Sequence, residues 1–226
     1  MALEVKWVGH ATFELRTASG RTVVIDPWYT GSPVAKDPLP DRVDFVLLTH
    51  DHFDHVKDVA ELARRGAKVV TQPETGARLK REEGAPEDRI LDMNLGGTVS
   101  LADDLQVTMI PALHTSNTGV PSGYIVRAGG FTVAHLGDTA LFRDLELYGE
   151  MYPIDLALVP IGDHYTMGPR AAARAVAFLK ARVAAPMHYR TFPVLARSAE
   201  PFVAALKDLA PKAAPWVPEI GESRTF

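Results

Sequence analysis

The sequence of 226 residues contains no cysteine. This absence excludes a thiol nucleophile, disulfides, cysteine-ligated zinc and cysteine-held iron–sulfur clusters. Any metal ion must therefore be bound by histidine and carboxylate side chains.

Long hydrophobic runs are also absent. No stretch of about 18 or more apolar residues occurs, so the sequence predicts no membrane-spanning helix and no membrane partner. The N-terminal segment carries Glu4 and Lys6 among its apolar residues, which is not typical of a secretory signal. We therefore expect a cytoplasmic location.

The chain has no excess of basic residues. Its formal net charge is −4 and its pI is near 6.1, which disfavours nucleic acid as a partner because phosphates are neutralised by Lys and Arg. Apolar residues make up 46% and charged residues 23%, as in ordinary globular proteins. The length suits one compact domain over residues 1–226.

Strand-like and helix-like segments alternate in both halves of the sequence. Strands are predicted at residues 3–8, 11–16, 22–25, 45–48, 68–71, 98–101, 106–110, 123–126, 131–135, 156–160, 183–187 and 216–217. Helices are predicted at residues 56–65, 74–83, 169–181 and 198–209, the last with Ser198 as its N-cap. The Pro-rich loop 27–40 is either the rim of an active site or an ordinary surface loop, and Trp28 and Tyr29 either cover a substrate or pin this loop.

Three of the eight histidines lie in one segment, Thr49-His50-Asp51-His52-Phe53-Asp54-His55. Residues i and i+2 of an extended chain face the same way, so His50 and His52 can bind one ion. The chain then turns into the predicted helix, which directs Asp54 and His55 towards a second ion. This layout indicates a dimetal site with ions about 3.5–4 Å apart.

Further ligand candidates follow predicted strands elsewhere in the chain. His114, Asp138 and His188 each lie just beyond an apolar strand, where a buried scaffold can hold a ligand at a cleft. With the first motif they complete a set of N and O donors that suits Zn²⁺, Mn²⁺, Ni²⁺, Co²⁺ or Fe²⁺. We expect two divalent metal ions as cofactors, bound by His50, His52, Asp54, His55, His114, Asp138 and His188.

The order and spacing of these residues, together with Asp26 after the third strand, resemble the metallo-β-lactamase superfamily. Residues 7–12 resemble the opening of the branch that includes ascorbate-6-phosphate lactonase. Residues 137–142, 160–163, 165–169 and 186–189 resemble more closely an uncharacterised metal-dependent hydrolase family of that branch. The resemblance implies an α/β (α+β) fold: a four-layer αββα sandwich of two mixed β-sheets with helices outside.

The resemblance also implies roles for the ligands. By motif matching, the first ion is held by His50, His52 and His114, the second by Asp54, His55 and His188, and Asp138 bridges both. The implied activity is a hydrolase in which a metal-bridging hydroxide, oriented by Asp54, attacks an ester-type bond of a small molecule, either a phosphodiester or a lactone.

Other residues are weaker candidates for the site. Asp26 and His10 are expected to orient ligand histidines, although His10 has an equally plausible structural role. His164 either protonates the leaving group or is a surface histidine, and Arg190 either holds a phosphate or carboxylate or is solvated. The candidates for substrate contact are Ser116, Asn117, Tyr165, Thr166 and Arg190.

Alternative functions are a nuclease acting on RNA, a thioester hydrolase, a flavodiiron-type redox protein and a non-enzymatic metal-binding protein. The acidic charge disfavours the nuclease. A thioester hydrolase of this type usually carries a C-terminal helical substrate domain, for which little chain follows His188, and the redox proteins have a carboxylate at the position of His52. The complete ligand set disfavours a non-catalytic role. The lactonase relatives assemble, so a homo-oligomer is compatible with the resemblance.

Overall fold

The computed structural model describes residues 2–226. The strands over this range are β1 (Glu4–Gly9), β2 (Thr12–Arg16), β3 (Thr22–Ile25), β4 (Phe45–Leu47), β5 (Lys68–Thr71), β6 (Ile90–Asp92), β7 (Thr98–Ala102), β8 (Leu105–Pro111), β9 (Ser122–Ala128), β10 (Phe131–His135), β11 (Leu156–Pro160), β12 (Val183–Met187), β13 (Ala214–Pro215) and β14 (Ser223–Thr225). The helices are α1 (Phe53–Val56), α2 (Val59–Arg64), α3 (Pro73–Glu83), α4 (Leu145–Met151), α5 (Pro169–Leu179) and α6 (Glu200–Leu209), with a short 3-10 helix at Glu87–Arg89.

The strands form two mixed seven-stranded sheets. The first has the order β14-β1-β2-β3-β4-β5-β6, antiparallel from β14 to β3 and parallel from β3 to β6. The second has the order β13-β12-β11-β10-β9-β8-β7, antiparallel from β7 to β10 and parallel from β10 to β13. Each half of the chain thus builds most of one sheet.

Alternation along the strands divides the apolar side chains between two cores. Val23 and Ile25 of β3 join the large core that also contains strand residues of the second sheet, whereas Val24 joins a smaller core with residues of α2 and α3. On the second sheet, α5 packs against β11 and against α6. The sheets therefore pack face to face with helices outside, and the predicted αββα fold class is confirmed.

Several element predictions need correction. The helix predicted at residues 56–65 is two helices, because the buried Asp58 between them accepts hydrogen bonds from the amides of Tyr29 and Thr30 at 2.7 and 2.9 Å. The closing strand of the second sheet is Ala214–Pro215, which pairs with Val183 and Ala184 of β12, and not the predicted residues 216–217. Helix α6 begins at Glu200 and its N-cap is Ala199, so the predicted N-cap Ser198 is wrong, although the Glu200 amide donates a hydrogen bond to Ser198 Oγ at 3.0 Å. Elements β6, α4 and β14 were not predicted.

Across residues 2–226, every helix is too short or too polar to cross a lipid bilayer.

Candidate metal centre

Strand ends bring the predicted ligands to one edge of the sandwich. The segment from His50 to His55 follows β4 in the first sheet. His114, Asp138 and His188 follow β8, β10 and β12 in the second sheet. The structure therefore brings all seven predicted ligands together where the two sheets meet.

Tight backbone turns orient one predicted ligand and two residues that contact ligands. Asp26, His10 and His188 have φ angles of 48°, 52° and 56°, in the left-handed region where non-glycine residues are uncommon. Such a conformation costs about 1–3 kcal/mol per residue and persists when the surroundings fix it. Here the amide of His188 donates to the carbonyl of His10 at 3.0 Å, which joins the β1–β2 turn to the end of β12.

The first ligand cluster consists of His50, His52 and His114. Each offers a ring nitrogen, and these nitrogens lie within 4.8 Å of one another. His50 Nε2 lies 3.0 Å from His52 Nδ1, as the strand-parity interpretation requires of two residues facing one ion. The cluster is half open, because His50 is buried whereas His52 and His114 are partly exposed.

The second cluster consists of His10, Asp54, His55 and His188, all buried. His10 Nε2 lies 3.0 Å from Asp54 Oδ2, and its Nδ1 lies 2.9 Å from Thr191 Oγ1. His10 therefore links the loop after β12 to the Asp54 carboxylate. Its hydrogen bonds use both ring nitrogens.

Asp138 lies between the clusters. Its Oδ2 atom lies 3.0 Å from His188 Nε2 and 3.4 Å from His55 Nε2 of the second cluster. The same atom lies 3.5 Å from His114 Nε2 of the first. This carboxylate thus contacts histidines from both groups, as a bridging ligand must.

Asp26 fixes the orientation of His55. Its Oδ2 lies 2.8 Å from His55 Nδ1, and it accepts hydrogen bonds from the amide and the hydroxyl of Thr49 at 2.8 and 2.7 Å. His55 Nε2 is thereby directed towards Asp138. Such carboxylate–histidine pairs orient metal-binding histidines in proteins.

The charges of the site favour a cation. Burial opposes protonation of His55, but the carboxylates of Asp138 and Asp26 raise its pKa well above the ordinary value. Burial likewise opposes ionisation of Asp138, yet His188 and His55 hold its pKa well below the usual range. Away from these carboxylates the opposite holds, since burial lowers the pKa of His10 to about 4. The negative field that draws a proton onto His55 equally favours a metal ion.

The donor set fits divalent metal ions. His55 Nε2 and Asp138 Oδ1 are buried and have no hydrogen-bond partner within residues 2–226. Buried polar atoms are nearly always satisfied, so these two need a further partner. Imidazole nitrogens and carboxylate oxygens around one space suit first-row transition metals.

Asp51 holds the His114 loop in place, a role that the sequence did not reveal. Its Oδ1 accepts from Ser116 Oγ and from the amide of Asn117, both at 2.7 Å, and its Oδ2 accepts from Thr118 Oγ1 at 2.7 Å. Burial opposes ionisation of Asp51, but the hydroxyls of Thr118 and Ser116 keep its pKa lowered. Ser116 is predicted as a substrate contact, but its hydroxyl donates to Asp51 and Ser116 does not line the cavity described below.

Hydrogen bonds also join the two sheets at this edge. Tyr124 of β9 donates its hydroxyl to the carbonyl of Leu48 at 2.8 Å. Ser122 donates its amide and hydroxyl to the Thr49 carbonyl at 3.0 and 2.9 Å. His135 of β10 is buried, and its Nε2 lies 2.9 Å from the Ala11 carbonyl oxygen.

A cavity of about 650 Å³ opens beside the clusters. Five of the predicted ligands line it, namely His52, Asp54, His114, Asp138 and His188. Its other lining residues are Phe53, Thr115, Asn117, Tyr165, Phe192 and Val194. Of the predicted substrate contacts, Asn117 and Tyr165 therefore face this cavity.

The remaining predicted contacts lie elsewhere. His164 is exposed, with its ring 4.6 Å from that of Tyr165, and neither His164 nor Thr166 belongs to the cavity lining. Arg190 lines a different pocket, and its guanidinium lies 3.8 Å from Glu219. Trp28 and Tyr29 are buried, which agrees with the interpretation that they pin the Pro-rich loop.

Gly137 permits the turn that presents Asp138. Its φ is +60°, and a Cβ atom there would overlap the carbonyl oxygen of Ser122. We expect Gly137→Ala to destabilise the protein by about 2–4 kcal/mol through backbone strain and steric overlap. Chemical denaturation measures this, with Gly20→Ala as the control, because Gly20 has a φ of +84° and open space around it. Equal losses in the two variants would contradict a steric role for Gly137.

Fold and site together define a class: an αββα sandwich protein with a cluster of histidine and aspartate side chains that could hold metal ions where the sheets meet. Comparisons with known proteins agree. The sequence profile of the family described as "Beta-lactamase superfamily domain" matches residues 21–189. A "UPF0173 metal-dependent hydrolase" from Pyrobaculum arsenaticum is 46% identical over 209 residues, which cover 91% of this chain and 92% of the relative.

Two further relatives extend over the whole chain. A protein with the same description from Nitratidesulfovibrio vulgaris is 44% identical and covers 100% of this chain and 96% of its own. The structure of Igni18, a metallo hydrolase from Ignicoccus hospitalis, is similar with a TM-score of 0.91 at 35% identity, covering 100% of this chain and 99% of that one. The chain belongs to the beta-lactamase superfamily and, within it, to the family of UPF0173 metal-dependent hydrolases. The resemblance found in the sequence is confirmed.

Proposed function

We propose that the protein hydrolyses an ester-type bond, a phosphodiester or a lactone, of a small molecule with the help of two divalent metal ions. The observation that carries the proposal is the position of Asp138, which contacts histidines of both ligand clusters. The cavity beside the clusters, about 650 Å³, has the size of a small-molecule site. The chain acts as one domain in this proposal, since both sheets contribute ligands to one cavity.

The ligands divide as the family resemblance implies. One ion would be held by His50, His52 and His114, the other by Asp54, His55 and His188, and Asp138 would bind both. Nitrogen and oxygen donors suit zinc or manganese, and also nickel, cobalt or iron. When bound, the ions would supply a water-derived nucleophile at neutral pH and polarise the carbonyl or phosphoryl oxygen of the substrate.

The chain's own residues position the reactants. Asp54 lines the cavity and is held through Oδ2 by His10, which Thr191 fixes in turn. Burial opposes ionisation of Asp54, but the hydrogen bond from His10 keeps its pKa lowered, so the carboxylate is ionised and can accept a proton of the attacking water in a hydrogen bond. Asp26 holds the ring of His55, and Asp51 holds the loop of His114. Protonation of the leaving group is not ascribed to His164, which lies outside the cavity lining.

An activity panel tests this proposal. Protein loaded separately with Mn²⁺, Zn²⁺ or Ni²⁺ is assayed with an activated phosphodiester, a phosphomonoester, a lactone, a carboxylic ester and a thioester. We expect turnover of an ester-type substrate that depends on metal and is lost, by roughly 10²-fold or more, in His114→Ala, because a metal-supplied effect is worth several kcal/mol. Metal content per chain is measured alongside by mass spectrometry. Protein that holds about two ions per chain yet hydrolyses none of the substrates would refute the proposal.

A further inference from the structure

The cavity has an apolar wall next to its ligands. Phe53, Tyr165 and Val194 line it and are 63%, 56% and 53% exposed. Large apolar side chains clustered at the mouth of a site are costly in water unless a ligand or partner covers them. Their position beside the metal ligands indicates that the substrate is what covers them.

This wall is supported from beneath. The Trp28 ring is buried, and its centroid lies 5.6 Å from that of Phe53 and 5.9 Å from that of Phe192. The rings of Phe53 and Phe192 are 6.2 Å apart. These spacings are those of interacting aromatic pairs, so Phe53 and Phe192 form a built surface.

The protein offers this cavity no positive side chain. Among residues 2–226, no Lys or Arg lines it. Arg190 lies in a different pocket near Glu219, and Arg78 behind the His114 loop is paired with Glu83 at 2.9 Å. Sites that bind phosphate or carboxylate groups commonly use Arg or Lys for them. A charged group remote from the cleaved bond would therefore enter the cavity without a partner.

We propose that the substrate is an uncharged carboxylic ester or lactone with an apolar body, and that Phe53 and Val194 determine this preference. The proposal rests on the proposed hydrolase function and narrows it. In the reaction, the oxygen of water bonds to the carbonyl carbon and the acyl C–O bond breaks. The alcohol oxygen takes a proton, and the acid is released as a carboxylate and a proton.

A matched pair of substrates tests the charge preference. 4-Nitrophenyl hexanoate and the mono-4-nitrophenyl ester of adipic acid share the bond, the leaving group and the chain length, and differ in one terminal carboxylate. We expect kcat/KM of the metal-loaded enzyme to be at least about tenfold higher for the hexanoate, because the terminal charge is desolvated without a partner. Val194→Lys, which adds a cation to the rim, should lower this ratio at least about threefold. An adipate ester that is cleaved as well as the hexanoate would overturn the proposal.

Chain length tests the apolar wall. We expect 4-nitrophenyl hexanoate to be cleaved at least about tenfold more efficiently than the acetate, since each buried CH₂ contributes about 0.8 kcal/mol. Phe53→Ala should lower this ratio, whereas Leu147→Ala, at an exposed apolar residue on α4 outside the cavity lining, should not. If Phe53→Ala left the hexanoate-to-acetate ratio of kcat/KM unchanged, Phe53 would not determine the preference for an apolar substrate.

Binding to the metal-free protein separates this inference from the hydrolase function. Calorimetry compares N-phenylhexanamide with the monoanilide of adipic acid, which have the same shapes but an uncleaved amide. We expect tighter binding of the uncharged amide, and equal or weaker binding of it would overturn the inference even if no activity is found. Cleavage of a phosphodiester with no cleavage of either ester would overturn the inference and leave the hydrolase function standing.

Discussion

Replacement of Asp138 by asparagine is expected to lower kcat/KM by roughly 10³-fold or more and to reduce the metal content per chain. Asp138 Oδ2 lies 3.0 Å from His188 and within 3.5 Å of His55 and His114, so it is the carboxylate shared by the two clusters. Asparagine keeps the shape and removes the charge that draws a cation into this buried space. The measurements are metal content by mass spectrometry and turnover of the preferred ester.

Asp144→Asn is the matched control, since Asp144 is exposed and lies outside the cavity lining. It makes the same chemical change a few residues away. Asp138→Asn protein that retains its metal ions and most of its activity would show that Asp138 is not shared between the ions. Thermal unfolding of both variants establishes that any loss is not a loss of folded protein.

Replacement of Asp51 by alanine is expected to destabilise the protein by about 3 kcal/mol, which corresponds to a fall in Tm of about 10 °C for a chain of this size. Asp51 is buried and accepts hydrogen bonds from Ser116, Asn117 and Thr118. Its removal leaves those donors without their acceptor and releases the loop that carries His114. We therefore also expect weaker binding at the first ligand cluster, measured by titration of metal-free protein.

The control for this variant is Asp103→Ala, at an exposed aspartate in the turn between β7 and β8. Its Tm should change by about 2 °C or less, as is usual for surface substitutions. If Asp51→Ala were as stable as Asp103→Ala, the hydrogen bonds around Asp51 would not be holding the His114 loop. Unchanged metal affinity with lowered stability would limit Asp51 to a structural role.

The proximity of the proposed ligands could be predicted because strand geometry acts locally. His50 and His52 lie two residues apart at the end of a strand, and the parity of an extended chain alone places them on one side. The other candidates could be selected because each follows an apolar strand, and a buried strand can hold the next side chain at a cleft. They are His114, Asp138 and His188. The αββα fold class was implied by the resemblance of the motif to a known superfamily, and the predicted strands agree with it.

Other features depend on contacts between distant segments, which a single sequence does not encode locally. The hydrogen bond between His10 and Asp54 joins the β1–β2 turn to α1, and a separate one joins the same turn to His188 after β12. Helices α1 and α2 are separate because Asp58, which lies between them, accepts hydrogen bonds from backbone amides of the Pro-rich loop. Within the motif itself, the roles of Asp51 and Phe53 also depend on distant segments, because Asp51 accepts hydrogen bonds from residues 116–118 and Phe53 packs beside Trp28.

The hydrogen bonds that join the sheets have a consequence for metal exchange. Tyr124, Ser122 and His135 bind the first sheet through protein groups alone, and none of them is among the ligands. The ligand positions are thus preorganised by the polypeptide, and little chain entropy is left to be lost when an ion enters. We expect the folded protein to release one metal and take up another without unfolding, so that the metal found in it reflects the supply in its surroundings.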